Sequence, residues 1–268
     1  MRKLSYPGRS NVLAQNGMVA TSNPLSSMVA INVLQKGGNA VDAAIAASAV
    51  QAVVCPSATG IGGDCFAIIS MNGKKPIAVN GSGIAPKKAN LQFYKDNKIK
   101  NIGLTSPHSV TIPGAVHAWC SMHEKFGRID FNEVLNGAEN FARKGFPVHE
   151  VEAIAWKENE KKLKKNPNSK RLFLNQNLSY SYGEVFKNIP LANTLRVISK
   201  NKIKGFYQSE ITKDMVKTLN KLGGLHTEED FYNQKTLFSK TITNSYRNLR
   251  IHQCPLNSPG LVLSLIHI

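Results

Sequence analysis

Lys36-Gly37-Gly38-Asn39-Ala40-Val41-Asp42-Ala43-Ala44, followed after an alanine-rich run by Gly60-Ile61-Gly62-Gly63-Asp64, is the stretch whose reading decides the fold. It reads as helix, tight turn, helix, glycine loop, strand. Pro24 suits the first turn of a helix, with Asn23 or Ser22 as its cap. That helix runs to Lys36, where Gly37-Gly38 supplies the positive-φ residue that stops it. Asn39 can cap the next helix, and Asp42, three residues on, favours its positive end. Ala43 to Val54 is small and apolar nearly all round, which predicts a buried helix packed closely against something flat. Pro56 marks its end.

The glycine loop does not read as a phosphate cradle. A phosphate loop needs Gly-Lys followed by Ser or Thr, with a strand before it and a helix after. Here Gly60 to Asp64 has a helix before it and the strand Phe66-Ala67-Ile68-Ile69 after it. The order is reversed, so no helix N-terminus is aimed at a ligand. The glycines are expected to let the chain turn sharply under a sheet. Next comes a hairpin, with Phe66 to Met71 and Pro76 to Asn80 flanking Asn72-Gly73-Lys74-Lys75. Asn-Gly is the strongest short hairpin signal. The second strand runs out into Asn80-Gly81-Ser82-Gly83-Ile84-Ala85-Pro86.

Farther on, Asp130-Phe131-Asn132-Glu133 opens a helix with Val134, Leu135, Ala138, Phe141 and Ala142 on one face, ended by Gly145. Leu191 to Lys200 and Ile211 to Leu222 read as amphipathic helices, the second closed by Gly223-Gly224. Thr241-Ile242-Thr243 and Leu249-Arg250-Ile251 read as late strands joined near Asn244-Ser245. The dense run from Lys157 to Arg171 contains Glu158, Glu160 and Asn166-Pro167-Asn168-Ser169, and reads as a solvated helix end and loop.

An ordered set of short motifs resembles the gamma-glutamyltransferase family of N-terminal-nucleophile hydrolases. The block from Lys36 to Asp64 is similar to the family's opening signature. Asn16 to Thr21 looks like its first strand, and Thr111-Ile112-Pro113-Gly114-Ala115-Val116 its turn before a helix. Phe126-Gly127-Arg128, Ala142 to Val148, Gly223 to Asp230 and Tyr246-Arg247 follow in the family's order. Pro255-Leu256-Asn257-Ser258-Pro259-Gly260 resembles its later loop. Each motif is weak alone; the ordered set covers the chain from about residue 10 to 262.

The resemblance implies an α/β (α+β) fold, an incomplete helix–sheet–sheet–helix sandwich. It also implies amide-bond acyl transfer or hydrolysis, gamma-glutamyl or related, as in a glutathione hydrolase; the family's acylases and oxamate-type amidohydrolases stand as the alternative. These enzymes are made as one precursor that cuts itself before a threonine, whose hydroxyl then attacks while its own amine takes the proton. That threonine lies beyond the loop at Asn257 to Gly260, so no catalytic residue is expected in this chain. Residues 1–262 are expected to be part of the large subunit, inactive and poorly folded without the self-derived small subunit. The last six residues, Leu263-Ser264-Leu265-Ile266-His267-Ile268, are what CTG-TCT-CTT-ATA-CAC-ATC encodes, the end of a transposase adapter. Residues 263–268 are therefore expected to be a non-native tail, the alternative being the start of a natural helix or strand.

One site residue follows from the resemblance. In gamma-glutamyltransferases an arginine just before the Ala-Pro grips the α-carboxylate of the substrate, a job suited to a guanidinium fork. Aligned on Ala85-Pro86, its position is Ser82. A neutral hydroxyl cannot replace a bidentate cation, which weakens the expectation of gamma-glutamyl specificity. Gly81 and Gly83 are expected to open space around Ser82, and Gly-Ser-Gly also reads as a flexible turn.

Bulk properties bound the remaining function classes. The hydrophobic fraction of 42% suffices for a sizeable core. No apolar run reaches bilayer length, and Met1 to Arg9 lacks the apolar stretch of a signal peptide, so a cytoplasmic location without membrane contact is expected. The net charge of +17 raises nucleic-acid binding, and with it a basic, non-enzymatic binding module. The lysines are spread along the chain without an aromatic platform or zinc finger, so no nucleic-acid partner is expected. Cys55, Cys65, Cys120 and Cys254 show no paired spacing, and His117 and His123 are six apart, not the four that puts two ligands on one helix face. No metal and no cofactor are expected; the partner is a small-molecule amide.

Overall fold

The computed structural model describes residues 11–260 and Val262. The expected tail at 263–268 and the start at Met1 to Arg9 lie outside them. Helix α1 (Pro24–Gln35) is capped by Asn23, whose side chain accepts the Leu25 N–H, and Gly37 follows it at φ 92°. Helix α2 (Ala40–Val54) starts on a reciprocal capping box between Asn39 and Asp42. Asp42 does more than favour the helix end. It is fully buried and also accepts the Arg128 N–H at 3.0 Å, tying the start of α2 to a loop 86 residues away. Val41, Ile45, Val50, Val53 and Val54 of α2 are buried with its alanines, so this helix is the centre of the core.

Strand β1 (Cys65–Ile69) pairs antiparallel with β2 (Ile77–Gly81) from Cys65↔Gly81 to Ile69↔Ile77. Between them Gly73 takes φ 70° and the Lys74 N–H closes on the Met71 carbonyl at 2.9 Å; Asn72 does not take a positive φ, so the hairpin forms without the tight two-residue turn that Asn-Gly favours. Then follow α3 (Leu91–Asp96), α4 (Ala115–Phe126), α5 (Phe131–Lys144, stopped by Gly145 at φ 94°), β3 (Phe146–Pro147), α6 (Glu150–Leu163) and α7 (Pro167–Phe173). Short strands β4 (Leu174–Asn175), β5 (Leu178–Ser179) and β6 (Val185–Phe186) lead to α8 (Ile189–Tyr207), which breaks at Lys202 with φ 49°. The chain continues through α9 (Glu210–Lys221), α10 (Glu228–Tyr232), β7 (Leu237–Lys240), β8 (Ile242–Tyr246) and β9 (Leu249–Gln253).

Strands β1, β2 and β7 form the main sheet, in that order, with β2 central. Side chains alternate across it. Cys65, Ala67, Ile69, Val79 and Gly81 face α4, and behind α4 lie α2, α5 and α8. Phe66 and Ile68 point the other way and are 37% and 41% exposed. The layered arrangement is a mixed α/β fold with a helical layer on one sheet face.

Three local expectations need correction. Asn16 to Thr21 is irregular rather than a strand, because no described strand runs beside it to complete a ladder. Asn166-Pro167-Asn168-Ser169 opens a helix instead of lying in a loop: Asn166 accepts the N–H groups of Asn168 and Ser169, with Pro167 in the first turn. The late hairpin turns at Arg247-Asn248, where Arg247 takes φ 54°, and Asn244-Ser245 lies within β8, paired with Ile251 and Arg250. The charge run between is indeed solvated. Glu160 gathers Lys164 at 2.7 Å, the Ser179 N–H and Lys157, which pull its carboxyl down to about 2.

Candidate functional site around Ser82

Ser82 follows directly on β2, at the end of the ladder away from the Asn-Gly turn. Its backbone N–H donates to Asn80 Oδ1 at 3.0 Å, and its carbonyl accepts from Gln234 Nε2 at 3.0 Å. Its hydroxyl accepts from Asn257 Nδ2 at 2.8 Å, and Asn257 Oδ1 in turn accepts from Asn80 Nδ2 at 2.9 Å. The segment where the chain departs from the family pattern, Asn80 to Pro86, and the family-like loop Pro255 to Gly260 therefore meet across 175 residues of chain. The later segment is held in shape by Ser258, whose buried hydroxyl donates to the Cys254 carbonyl at 2.7 Å.

The loop around Ser82 is closely packed, which overturns the expectation that Gly81 and Gly83 open space around it. A side chain on Gly83 would fall on the Ile112 carbonyl and within 2.8 Å of Thr111 Oγ1. One on Gly81 would meet Ala118 of α4 and, at 2.9 Å, the Cys65 carbonyl. Glycine stands at Gly83 because the Thr111–Ile112 segment packs directly against it, and at Gly81 because Ala118 and the Cys65 carbonyl do. The Thr111 to Gly114 backbone is pinned from behind. The buried Tyr207 hydroxyl donates to the Pro113 carbonyl at 2.7 Å and accepts the His117 N–H at 2.9 Å. Burial pushes the Tyr207 phenol up, so it stays protonated as a donor.

Three further residues, none assigned to the site by the sequence, complete it. Gln234 is 2% exposed and clamps both sides of the loop, since its Oε1 accepts the Ile84 N–H at 3.2 Å. Asp230 accepts the Lys87 N–H at 2.9 Å while it caps α10 through Thr227. Burial works against the charged form of Asp230, but those N–H and hydroxyl donors hold its carboxyl below the usual range. Asp64, the last residue of the glycine loop, accepts the Gly83 N–H through Oδ1 at 2.8 Å. The site thus sets three side-chain amides, of Asn80, Gln234 and Asn257, and the Asp64 carboxylate around the Ser82 loop, and among the described residues no arginine or lysine side chain enters this hydrogen-bonded network.

The glycine loop also has a use that the sequence reading missed. The Gly63 carbonyl accepts the N–H groups of Gly114 and Ala115, at 3.0 and 2.9 Å, where α4 begins. Gly60 and Gly62 have room for a side chain and do not adopt positive φ; nothing in the structure explains them.

His226, His123 and the cysteines serve packing. His226 is buried with Nε2 at 2.8 Å from the Val110 carbonyl, and His123 Nε2 reaches the Ile129 carbonyl at 2.7 Å. The four cysteines are free thiols; burial pushes Cys65 up to about 11 and Cys120 up to about 12, so neither is a nucleophile at neutral pH. Among the described residues no group of three or more His, Cys, Asp or Glu is arranged to hold a metal ion. No described helix is long and apolar enough to cross a membrane.

A helical layer on an antiparallel sheet, with the Ser82 and Asn257 loops meeting at one end, agrees with the fold that the resemblance to gamma-glutamyltransferase-type N-terminal-nucleophile hydrolases implies. The comparison with known families agrees: residues 26–267 match the gamma-glutamyltranspeptidase model, and the chain belongs to that family. It is 32% identical over 252 residues to the glutathione hydrolase-like YwrD proenzyme of Bacillus subtilis, covering 93% of this chain and 48% of that one. Among solved structures it superposes on the gamma-glutamyltranspeptidase of Helicobacter pylori with a TM-score of 0.88 at 30% identity, over 94% of this chain and 73% of that one. A cephalosporin acylase from Bacillus halodurans gives 0.88 at 32% identity, over 94% and 48%. The chain spans about half the length of the curated relatives it matches.

Proposed function

We propose that this chain is the large-subunit portion of a self-processing amidohydrolase or acyltransferase, and that its Ser82 loop forms one wall of the acyl-donor pocket. The nucleophile in this reading is a threonine on a self-derived small subunit, acting through an acyl-enzyme as hydroxyl and amine together. The acyl donor is an amide whose acyl end lacks the α-amino acid of glutathione. The observation that carries the reading is Ser82 itself. It occupies the position where the resemblance calls for a carboxylate-gripping arginine, and its hydroxyl is engaged by Asn257 at 2.8 Å. Asp64, bonded to the next residue in the loop, adds negative charge where an α-carboxylate would have to approach.

A lost charge-assisted pair in a partly desolvated site costs about 2–5 kcal/mol. The corresponding drop in selectivity for the amino-acid end is on the order of ten- to a thousandfold. The test is kcat/KM of the complete proenzyme, after processing, for glutathione against a plain glutaryl amide and an uncharged acyl amide. Weak glutathione turnover beside efficient cleavage of either simple amide is expected. A strong preference for glutathione would mean that another residue supplies the positive charge.

A further inference from the structure

At the far end of the β1–β2 ladder from Ser82 lies a cleft of about 540 Å³ between the Asn-Gly turn and the β8–β9 hairpin. Lys74 and Lys75 come from the turn, Lys240 from the end of β7 and Arg250 from β9. Thr241, Thr243 and His252 complete it, and no carboxylate lines it. The hairpin register explains the convergence. Thr243 pairs with His252 and Ser245 with Arg250, so Thr243, His252 and Arg250 project from one face of β8–β9.

The cations there have no protein counter-charge. Among the described residues, the side chains of Lys74, Lys75, Lys240 and Arg250 make no ion pair or hydrogen bond, whereas Glu160 alone collects two lysines elsewhere in the chain. His252 is orientated as well. Its Nδ1 lies 3.1 Å from Thr241 Oγ1 and 3.0 Å from Thr243 Oγ1. The cleft therefore gathers three ammonium groups and one guanidinium fork beside an imidazole ring and two threonine hydroxyls.

We infer that this cleft binds a small, multiply charged oxyanion of the phosphate class. Four cations are more than a monocarboxylate can neutralise. Lysines act as point charges on phosphate oxygens while an arginine takes two of them in its fork. The volume lies within the range of small-molecule sites, about 300–1,000 Å³. A bounded cleft between a turn and a hairpin favours a free phosphate compound over an extended polymer, which would need a long basic groove.

Titration calorimetry of the complete proenzyme with inorganic pyrophosphate, at low salt and near 0.15 M, tests the inference. Saturable one-to-one binding is expected, weakened at the higher salt by screening. Both K240Q/R250Q and K74Q/K75Q should weaken it at least tenfold. K161Q/K165Q, which removes the same charge from the solvated end of α6, should leave it within twofold. If K240Q/R250Q fails to fold, the K74Q/K75Q variant on the exposed turn decides the matter. No saturable binding by the parent protein overturns the inference, and so does an equal loss in K161Q/K165Q, which would make it a bulk-charge effect. A single-stranded oligonucleotide that binds more tightly than pyrophosphate, and loses that binding in the same cleft variants, would assign the cleft to a polymer backbone and overturn the small-anion reading.

Discussion

Gly73 and Gly83 sit at opposite ends of one β-ladder and are glycine for opposite reasons. Gly73 takes φ 70° in the hairpin turn, with nothing within 4 Å of where a side chain would project. Gly83 has a negative or extended backbone, but a side chain there would run into the Ile112 carbonyl. The first glycine is set by local backbone conformation, the second by a distant segment pressed against it. The ends differ in function accordingly. The turn end is open and carries unpaired cations; the Ser82 end is closed, with its polar groups committed to Asn80, Gln234, Asn257 and Asp64.

The largest effect that would test this contrast is Gly83→Ala. Its new methyl group has only backbone to push against, so the Thr111 to Gly114 segment or the Ser82 loop must move. Overpacking of this kind costs on the order of 3 kcal/mol. Urea denaturation of the proenzyme should show a lower midpoint, and activity should fall with the loss of the Asn257–Ser82 contact. A variant as stable as the parent would mean that the loop has slack, and the expectation of open space around Ser82 would stand after all.

Next in size is Ser82→Arg. Because the loop is closely packed, a guanidinium placed there starts from a confined backbone. The variant should gain at least tenfold in kcat/KM for glutathione, about 1.4 kcal/mol, relative to an uncharged acyl amide. No gain would show that the loop points away from the acyl donor. Asp64 modulates the same site more weakly. Asp64→Asn keeps an acceptor for the Gly83 N–H while removing the charge, so folding should be preserved. Because Asp64 is exposed, the effect is small, about 0.2–1 kcal/mol, or up to about fivefold in the ratio of carboxylate-bearing to neutral acyl donors. Combining it with Ser82→Arg should exceed Ser82→Arg alone, since Asp64 would otherwise neutralise the new cation. Equal ratios in the single and double variants would place Asp64 outside the field felt by the substrate.

The same contrast between local and distant causes decides what could be read from the sequence. Caps and turns made within a few residues were legible: Asn23 with Pro24, Asn39 with Asp42, Asn72-Gly73, and Gly145 after α5. Asn166-Pro167 carried the same cap-and-proline signal, and the surrounding charge run obscured it. Ser82 was identifiable only through the family resemblance, and its partner Asn257 was quoted in that resemblance without any sign that the two touch. Gln234, Asp64 and Tyr207 left no signal of the contacts they make, although Asp64 closes the glycine loop of the opening stretch. Their partners lie 150, 19 and 94 residues away, and a buried glutamine or tyrosine looks like any other until the chain is folded. The two-residue pairings β3–β6 and β4–β5 are shorter than any alternation can reveal.

The smallest effect belongs to Gly73→Ala at the open end. Space is not limiting there, so the whole cost is the left-handed backbone that an L-residue resists, about 1–2 kcal/mol. The Lys74 N–H to Met71 carbonyl bond should survive, because alanine removes no donor or acceptor. Denaturation should therefore shift by clearly less than for Gly83→Ala, with kcat/KM unchanged for every acyl donor. Pyrophosphate binding in the neighbouring cleft should persist too, since the lysines that follow keep their positions. Asn72→Gly in the same turn should also destabilise slightly, because Asn72 does not hold a positive φ and a second glycine only loosens the unfolded chain. If Gly73→Ala instead cost as much as Gly83→Ala, the turn would have to be packed against something in the complete protein. The open end of the ladder would then be no more open than the closed one.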